Sequence, residues 1–474
     1  MKRDRRTEDY QPEDLAQSVV AACTDCDVCR YMMPSECLLF ENLYRLHDRS
    51  ANGGAPISTL DLRRLVDLCT YCGLCACRDI RADIIDAKTG FIAKEGLPFG
   101  VWLMTRLEAV ARIGGRFPRL TNAFLRNRAL AGLMKRLAGV HPARALPALP
   151  PASFPTWAAR EGIDRKPSGE AWPKVAYFAG CTGRYLFPAV PRAVVQTLQL
   201  FGVSVYYPEQ RCCGMPTFAE GDRRQTLDWV RRTIDQLAAL VEEGFAIVCA
   251  CPTCGYMLKT VIRDRADYAE ARQAELGMDD RFLFVPDETL PARGGKRPLK
   301  KLLKSMYGNL LRDDGYFAGI DPVKRVKVAE NTFDAGEYLL GIVQKGALSP
   351  ELTWRFGRLV YFVPCHQREQ QIGRPYLALL QGIAGLTMDV VDGPYDCCGM
   401  GGNMGFKKDF HAASLHLAAP VLKKIRDLNP DAIVTDCLSC RLQFMHALPY
   451  PVYHPMEIFS AAAVKDDPPS KLSP

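Results

Sequence analysis

The chain has 474 residues, 48% hydrophobic and 24% charged, with 19 cysteines and a formal net charge of +8. That length is too great for one compact core, and the composition excludes disordered and fibrous classes in favour of two to four folded domains. The charged start MKRDRRTEDYQPED has no apolar stretch of the secretory type, and no run of about 18 apolar residues reads as a membrane-spanning helix. The expectation is a cytoplasmic protein, in which clustered cysteines are metal ligands or redox thiols rather than disulfides.

Residues 15–96 come first, with eight cysteines among short apolar pieces and turns. A small module that metal organises in place of a large core has this composition. Next, 97–113 and 121–139 read as two helices broken by Gly114, Gly115 and Pro118. In the second, Leu130, Leu133, Met134 and Leu137 recur at helical spacing and form one apolar stripe. Between 97 and 144 stand nine basic residues (Arg106, Arg112, Arg116, Arg119, Arg126, Arg128, Lys135, Arg136, Arg144) against the single acid Glu108, so this segment carries the whole net excess. Nucleic-acid binding would call for a broad basic face with stacking aromatics, so no nucleic-acid partner is expected. Two readings stand for the segment. Its helices pack around the core with solvated arginines, or its stripe and basic flanks meet a membrane surface or membrane-bound partner, placing the protein peripherally on the inner face of the cell membrane. Seven prolines in 142–173 make a stiff linker.

From Lys174 the pattern changes. KVAYFAGC reads as a strand, 185–202 as a helix, VSVYYPE as a strand, 220–243 as a helix, and AIVCACPTC as a strand running into a turn. The order βαβαβ implies a parallel, doubly wound sheet. From Arg358 it recurs: RLVYFVPC, a helix over 374–384, TMDVVD, a helix over 408–427, and DAIVTDCLSC. Cys181 to Cys365 is 184 positions, Cys212 to Cys397 is 185, and Cys251 to Cys437 and Cys254 to Cys440 are both 186, so the repeat is a duplication. Between the repeats, 264–356 is partly helical and less legible, with a basic stretch at Lys296, Lys300, Lys301 and Lys304. The expected fold is mixed α+β and α/β. It comprises a two-cluster ferredoxin-like helical module (1–96), basic helices with the linker (97–173), a first Rossmann-like domain with a long insertion (174–356) and a second such domain (357–474).

Cys23-x2-Cys26-x2-Cys29 and Cys69-x2-Cys72-x2-Cys75 match the first three ligands of bacterial ferredoxin runs, in which a tight turn aims three thiolates at corners of one [4Fe–4S] cube. A pair of zinc sites would also use CxxC pairs, but tetrahedral zinc has no use for a third cysteine at the next step. The fourth ligand ordinarily follows three residues later, before a proline, and serves the other cluster. Here those places hold Met33, followed by Pro34, and Asp79, followed by Ile80. Cys37 and Cys77 are the candidate replacements; a carboxylate from Asp79, or a cluster with three protein ligands, are the alternatives.

Two five-cysteine sets follow: Cys181, Cys212-Cys213-Gly214 and Cys251-x2-Cys254, then Cys365, Cys397-Cys398-Gly399 and Cys437-x2-Cys440. All sit just beyond the carboxyl ends of expected strands, where an open parallel sheet forms its ligand crevice. Adjacent cysteines do not comfortably chelate one tetrahedral ion but can bridge neighbouring irons, and the glycines permit a turn too crowded for a β-carbon. The nineteenth cysteine, Cys249, alternates with Cys251 in a strand and reads as a buried small hydrophobe. GMGGNMG at 399–405 imitates a dinucleotide fingerprint without the strand-to-helix setting, and His366 beside Cys365 reads as a hydrogen-bonding neighbour of a cluster, with ligation as the alternative.

With these motifs, and the stretches AYFAGC, QRCCGMP, CCGMGGNMGFKKDF and IVTDCLSCRLQ, the chain resembles the CCG-domain family. That family includes the CCG-bearing subunits of heterodisulfide reductase, of glycolate oxidase and of anaerobic glycerol-3-phosphate dehydrogenase. The resemblance implies two [4Fe–4S] cubane clusters on the amino-terminal cysteines. It implies two non-cubane [4Fe–4S] clusters, or in some members a smaller metal site, on the two five-cysteine sets. It further implies an iron–sulfur electron-transfer subunit. Its partner would be a flavoprotein dehydrogenase of glycerol-3-phosphate or 2-hydroxy acid type, and its acceptor quinone or another carrier. A chain whose CCG sites themselves reduce a heterodisulfide or quinone is the alternative, and a structural module holding zinc is a third.

Overall fold

The computed structural model describes residues 11–33, 35–75, 77–167, 173–278, 281–287, 289–290, 296–307, 312–346, 351–354 and 357–463. The start of the chain and Pro34, both used in the sequence reading, lie outside them, as do the ends of the linker and of the second domain.

The amino-terminal module is more helical, and better packed, than short apolar pieces and turns suggest. Helices Pro12–Cys26, Leu38–Ala51, Thr59–Asp67 and Arg78–Glu95 pack together. In the first, Ala16, Val19, Val20 and Cys23 recur at i, i+3, i+4 and i+7, and all four are buried. The thiol of Cys23 thus lies on the core face, beside Leu43, Leu65, Val66 and Phe91. Asp27 ends that helix in the left-handed region (φ 54°) and redirects the chain towards Cys29. Ser58 and Asp61 start the third helix with a reciprocal capping box.

The segment after it forms four short helices, Phe99–Thr105, Leu107–Gly114, Pro118–Arg126 and Arg128–Leu137, instead of the two expected. Asn127 causes one extra break, because its side chain accepts from the backbone N–H groups of Ala129 and Leu130 and caps a new helix. Pro118 opens a helix at its first turn, where its missing N–H costs nothing. The apolar stripe faces outward: Ile113 is 77% exposed, Leu120 70% and Leu137 69%, with Phe99, Phe117, Leu130 and Leu133 also exposed. Three charged groups of the segment are structural. Arg144 is wholly buried and donates to Gln443 and Leu442, Arg106 pairs with Asp222 at 2.9 Å, and Glu108 takes Arg184 at 2.9 Å.

Strands β1 (Lys174–Phe178), β2 (Ser204–Tyr206) and β3 (Ala246–Cys249) pair in parallel in the order β2-β1-β3. An excursion then holds an antiparallel pair, β4 (Phe282–Pro286) and β5 (Leu299–Leu303). The chain returns as β6 (Thr332–Asp334), which completes the first sheet beside β3. The second sheet repeats this order with β8 (Thr387–Val391), β7 (Arg358–Phe362), β9 (Ala432–Val434) and β10 (Val452–Tyr453), again all parallel. Thus β6 corresponds to β10. The helix that follows each, Ala335–Gln344 or Pro455–Ala463, starts with a glutamate (Glu337, Glu457) accepting from the backbone N–H three residues before it.

The two sheets share one core, in which Tyr177, Val194 and Leu339 lie with Tyr361, Tyr376, Met456 and Phe459. The cross-repeat packing is reciprocal. Helix Ala189–Leu200 meets Pro455–Ala463, and their counterparts Pro375–Gln381 and Ala335–Gln344 meet in turn. The duplicated halves are therefore related by an approximate twofold axis through this core. No helix among the described residues is long and apolar enough to cross a membrane.

Candidate metal centres

Cysteines of the two amino-terminal runs influence one another's thiols across the module. Burial raises the Cys23 thiol to about 12, with further upward pushes from Cys29, Cys77 and Cys26; Cys29 is raised by burial and then by Cys77 and Cys26. On the other side, burial lifts Cys37 to about 12, with Cys72 and Cys69 adding to it, and Cys75 is raised by burial, Cys69, Cys72 and Cys37. Cys77 thus lies within electrostatic reach of Cys23 and Cys29, and Cys37 within reach of Cys69, Cys72 and Cys75. Asp79 points elsewhere: its carboxylate is 78% exposed and lies 3.4 Å from the Arg265 guanidinium.

In the carboxy-terminal half, each first cysteine follows its central strand, each CC pair follows the strand beside it, and each CxxC follows β3 or β9. Gly214 (φ 93°) and Gly399 (φ 75°) make the expected left-handed turns, and a β-carbon on Gly399 would run into the Ser414 carbonyl. Cys181 and Cys212 stand 3.7 Å apart, and Cys440 donates to Cys398 at 2.9 Å. Hydrogen bonds from Cys212 and Cys254 lower Cys213 to about 5, and those from Cys397 and Cys440 lower its counterpart Cys398 well below the usual thiol range. Cys254 lowers Cys251 as well, to about 6, so neighbouring thiols stabilise two thiolates in the first set and Cys398 in the second. Cys249 is fully buried and its Sγ lies 3.7 Å from the Phe333 carbonyl, away from the set.

Sequence reasoning passed over Arg184 and Arg368, each three residues after the first cysteine of its set. Arg184 donates to the carbonyls of Gln210 and Gly180, and Arg368 to those of Val363 and Asp396. Both guanidiniums bind the loop leading to the CC pair, and each favours the thiolate of its cysteine against burial. The shared C-x2-R spacing was the signal available.

Tyr71, His366 and Thr253 bring the sets together. Tyr71 lies between Cys69 and Cys72, and its ring meets Phe218 edge-on at 4.9 Å. The Tyr71 carbonyl can only accept, so His366 donates to it from Nε2 at 3.1 Å. Nδ1 of His366 then accepts from Thr253 Oγ1 at 3.0 Å, and that oxygen lies 3.9 Å from Cys437 Sγ. Burial keeps this imidazole neutral, as the pattern requires. His366 is thus a hydrogen-bonding neighbour that ties the second triplet, the first CxxC loop and the second set together. Cys72 also stands near enough to raise both Cys365 and Cys397. Lys88, buried against the Cys69 carbonyl at 3.0 Å and the Ala219 carbonyl at 2.8 Å, locks the module onto the first sheet.

Among the described residues no three cysteine, histidine or acidic side chains close on a single metal-ion position. The donor sets fit iron–sulfur groups on their chemistry: every gathered ligand is a soft thiol, and five per carboxy-terminal set exceed the needs of one tetrahedral ion. Gly180, in a left-handed turn (φ 67°) before Cys181, keeps open a space that any β-carbon would fill 2.9 Å from Cys254 Sγ.

Comparison with known proteins agrees with this geometry. The cysteine-rich domain CCG matches residues 175–259 and 359–445. Over 291 residues the chain is 23% identical to a subunit of the anaerobic glycerol-3-phosphate dehydrogenase of Escherichia coli (strain K12), covering 61% of this chain and 59% of that protein. Over 277 residues it is 24% identical to a subunit of the fumarate reductase (CoM/CoB) of Methanothermobacter marburgensis, covering 58% and 42%. Lactate utilization protein A of an Exiguobacterium strain is 22% identical over 300 residues, covering 62% of this chain and 98% of that protein. The chain thus spans less than two thirds of the first two relatives. Each five-cysteine set lies within one of the two segments that match the cysteine-rich CCG domain.

Proposed function

We propose that this chain is the iron–sulfur electron-transfer subunit of a dehydrogenase or reductase complex, working with a flavoprotein that oxidises a glycerol-3-phosphate or 2-hydroxy acid type of substrate. The observation that carries the reading is the continuity of thiol sites: Cys72 acts on Cys365 and Cys397, and Thr253 reaches from the first CCG set to Cys437. The crossed sets Cys23/Cys26/Cys29/Cys77 and Cys69/Cys72/Cys75/Cys37 suit two [4Fe–4S] cubanes in a ferredoxin-like module, and the five-cysteine sets suit non-cubane clusters. Bound there, such groups supply one-electron chemistry.

The residues around them do the rest. Tyr71, Phe218 and Tyr256 pack the junction, Arg184 and Arg368 hold the CC loops, and the neutral His366 fixes the relative position of three sets. Cys26 and Cys77 are exposed, whereas the second set docks against the CCG domains, so the first set is the face a redox partner reaches. The outward apolar stripe, flanked by Arg116, Arg119, Arg126, Arg128 and Arg136, supports a peripheral position on an anionic membrane surface, where a quinone acceptor would be at hand.

Anaerobic co-purification followed by reduction tests the proposal. A co-purifying flavoprotein that reduces this chain with its substrate supports it. Turnover of a heterodisulfide by the isolated chain with an artificial donor would favour a catalytic role instead, and near-absence of iron and sulfide would sink both.

A further inference from the structure

A cavity of about 270 Å³ lies where the amino-terminal module meets both CCG domains, with Tyr71, Arg81, Tyr256, Lys259, Arg265 and Gln370 in its wall. Six lining side chains are cationic and three acidic. Two lining cations pair within the wall, Lys259 with Glu337 and Arg263 with Asp267, each at 2.7 Å, and further acids brace the cations from behind it. Glu330 lies 3.2 Å from Arg263, Asp314 3.0 Å from Arg265 and Glu369 3.8 Å from Arg81, and none of these three acids lines the cavity. A guanidinium braced on one edge keeps donors on its others for a ligand. One donor on a wall residue, Arg81 Nε, is buried without a partner in the protein. A buried N–H of this kind is satisfied when an acceptor enters beside it.

The backbone is unusual in the same place. Of five non-glycine residues with positive φ among the described residues, three line this cavity: Tyr71 (55°), Arg265 (60°) and Gln371 (55°). The π-helical turn Met257–Val261 supplies Lys259, Thr260 and Val261 to it. Strained backbone and π turns concentrate at functional sites because only a benefit there retains them.

We infer that this cavity binds a small oxyanion of phosphate or carboxylate chemistry, in contact with the loops that carry Cys69, Cys72 and Cys254. The inference stands independently of the electron donor and acceptor. Isothermal titration of the iron-loaded full chain with inorganic phosphate, pyrophosphate and malonate tests it, and the probe bound most tightly separates the two chemistries. Arg265→Gln, with iron content and far-UV circular dichroism unchanged, weakens the best probe by at least about tenfold, the loss of one charge-assisted contact. Should that variant not fold, Arg78→Gln on the exposed rim gives the same reading. No saturable heat from any probe up to about 10 mM, the weak end of specific affinity, overturns the inference, as does wild-type affinity in the folded variant.

Discussion

Replacing Arg126, Arg128, Lys135 and Arg136 together by glutamine strips four cations from the last two helices of the bridging segment. Arg126, Arg128 and Arg136 are exposed, and Lys135 donates to the Pro142 carbonyl rather than to an acid. Near an anionic leaflet each cation contributes about 1 kcal/mol, so the quadruple variant loses about 4 kcal/mol, roughly a thousandfold in partitioning at low salt. The apolar contribution is separable. Leu120 and Leu137 are 70% and 69% exposed, and inserting most of either side chain into lipid is worth about 1–2 kcal/mol. Leu120→Asp with Leu137→Asp therefore weakens binding even at high salt. Flotation with vesicles of neutral lipid, with and without phosphatidylglycerol, at low and high salt reads both. If neither variant changes the floated fraction, the outward stripe is not a membrane surface.

Exchanging ligands one at a time tests the crossed cysteine sets. Cys37→Ser perturbs the cluster signal that is magnetically coupled to the second CCG site, and Cys77→Ser the uncoupled one; the opposite pattern by electron paramagnetic resonance would uncross them. His366→Ala leaves the Tyr71 carbonyl and the Thr253 hydroxyl without their shared partner, which costs about 2–4 kcal/mol and lowers the denaturant midpoint, while His366→Asn recovers part of it. Two buried groups set opposing pH dependences. Burial lowers His454 to about 3, so the unfolded chain binds the extra proton and stability falls as pH drops below about 6.5, by up to about 4 kcal/mol near pH 3. Burial raises Asp334 to about 7, so its contribution is full below about pH 4 and is lost as pH rises through 7. Denaturant titrations across pH read both slopes, and Asp334→Asn removes the second; a wild-type slope in that variant refutes the assignment.

The repeat and the position of its cysteines were legible because strand ends and cysteine spacing are local signals. The last strand of the first sheet was not. Asp334 follows Cys254 by 80 positions, whereas its counterpart His454 follows Cys440 by 14, so the excursion through β4 and β5 hides a three-residue strand with no apolar run of its own. The candidates Cys37 and Cys77 could be named from sequence, and the ferredoxin pattern already set each towards the other triplet. The bridging stripe was visible as a period, while its outward direction depends on what the rest of the chain leaves uncovered. Arg144 and Arg106 counted as surface charge in the sequence, yet each is bound to a distant element, Gln443 and Asp222, that spacing does not reveal.

The approximate twofold of the CCG pair has a further consequence. Two equivalent halves around one axis would offer a visitor two indistinguishable ends. The amino-terminal module breaks that equivalence: Cys72 stands against Cys365 and Cys397, while the thiols of the first set answer to one another and to Arg184. A duplication that began as two copies of one site has thereby acquired a near member and a far member, and with them a sense of direction that neither copy holds alone.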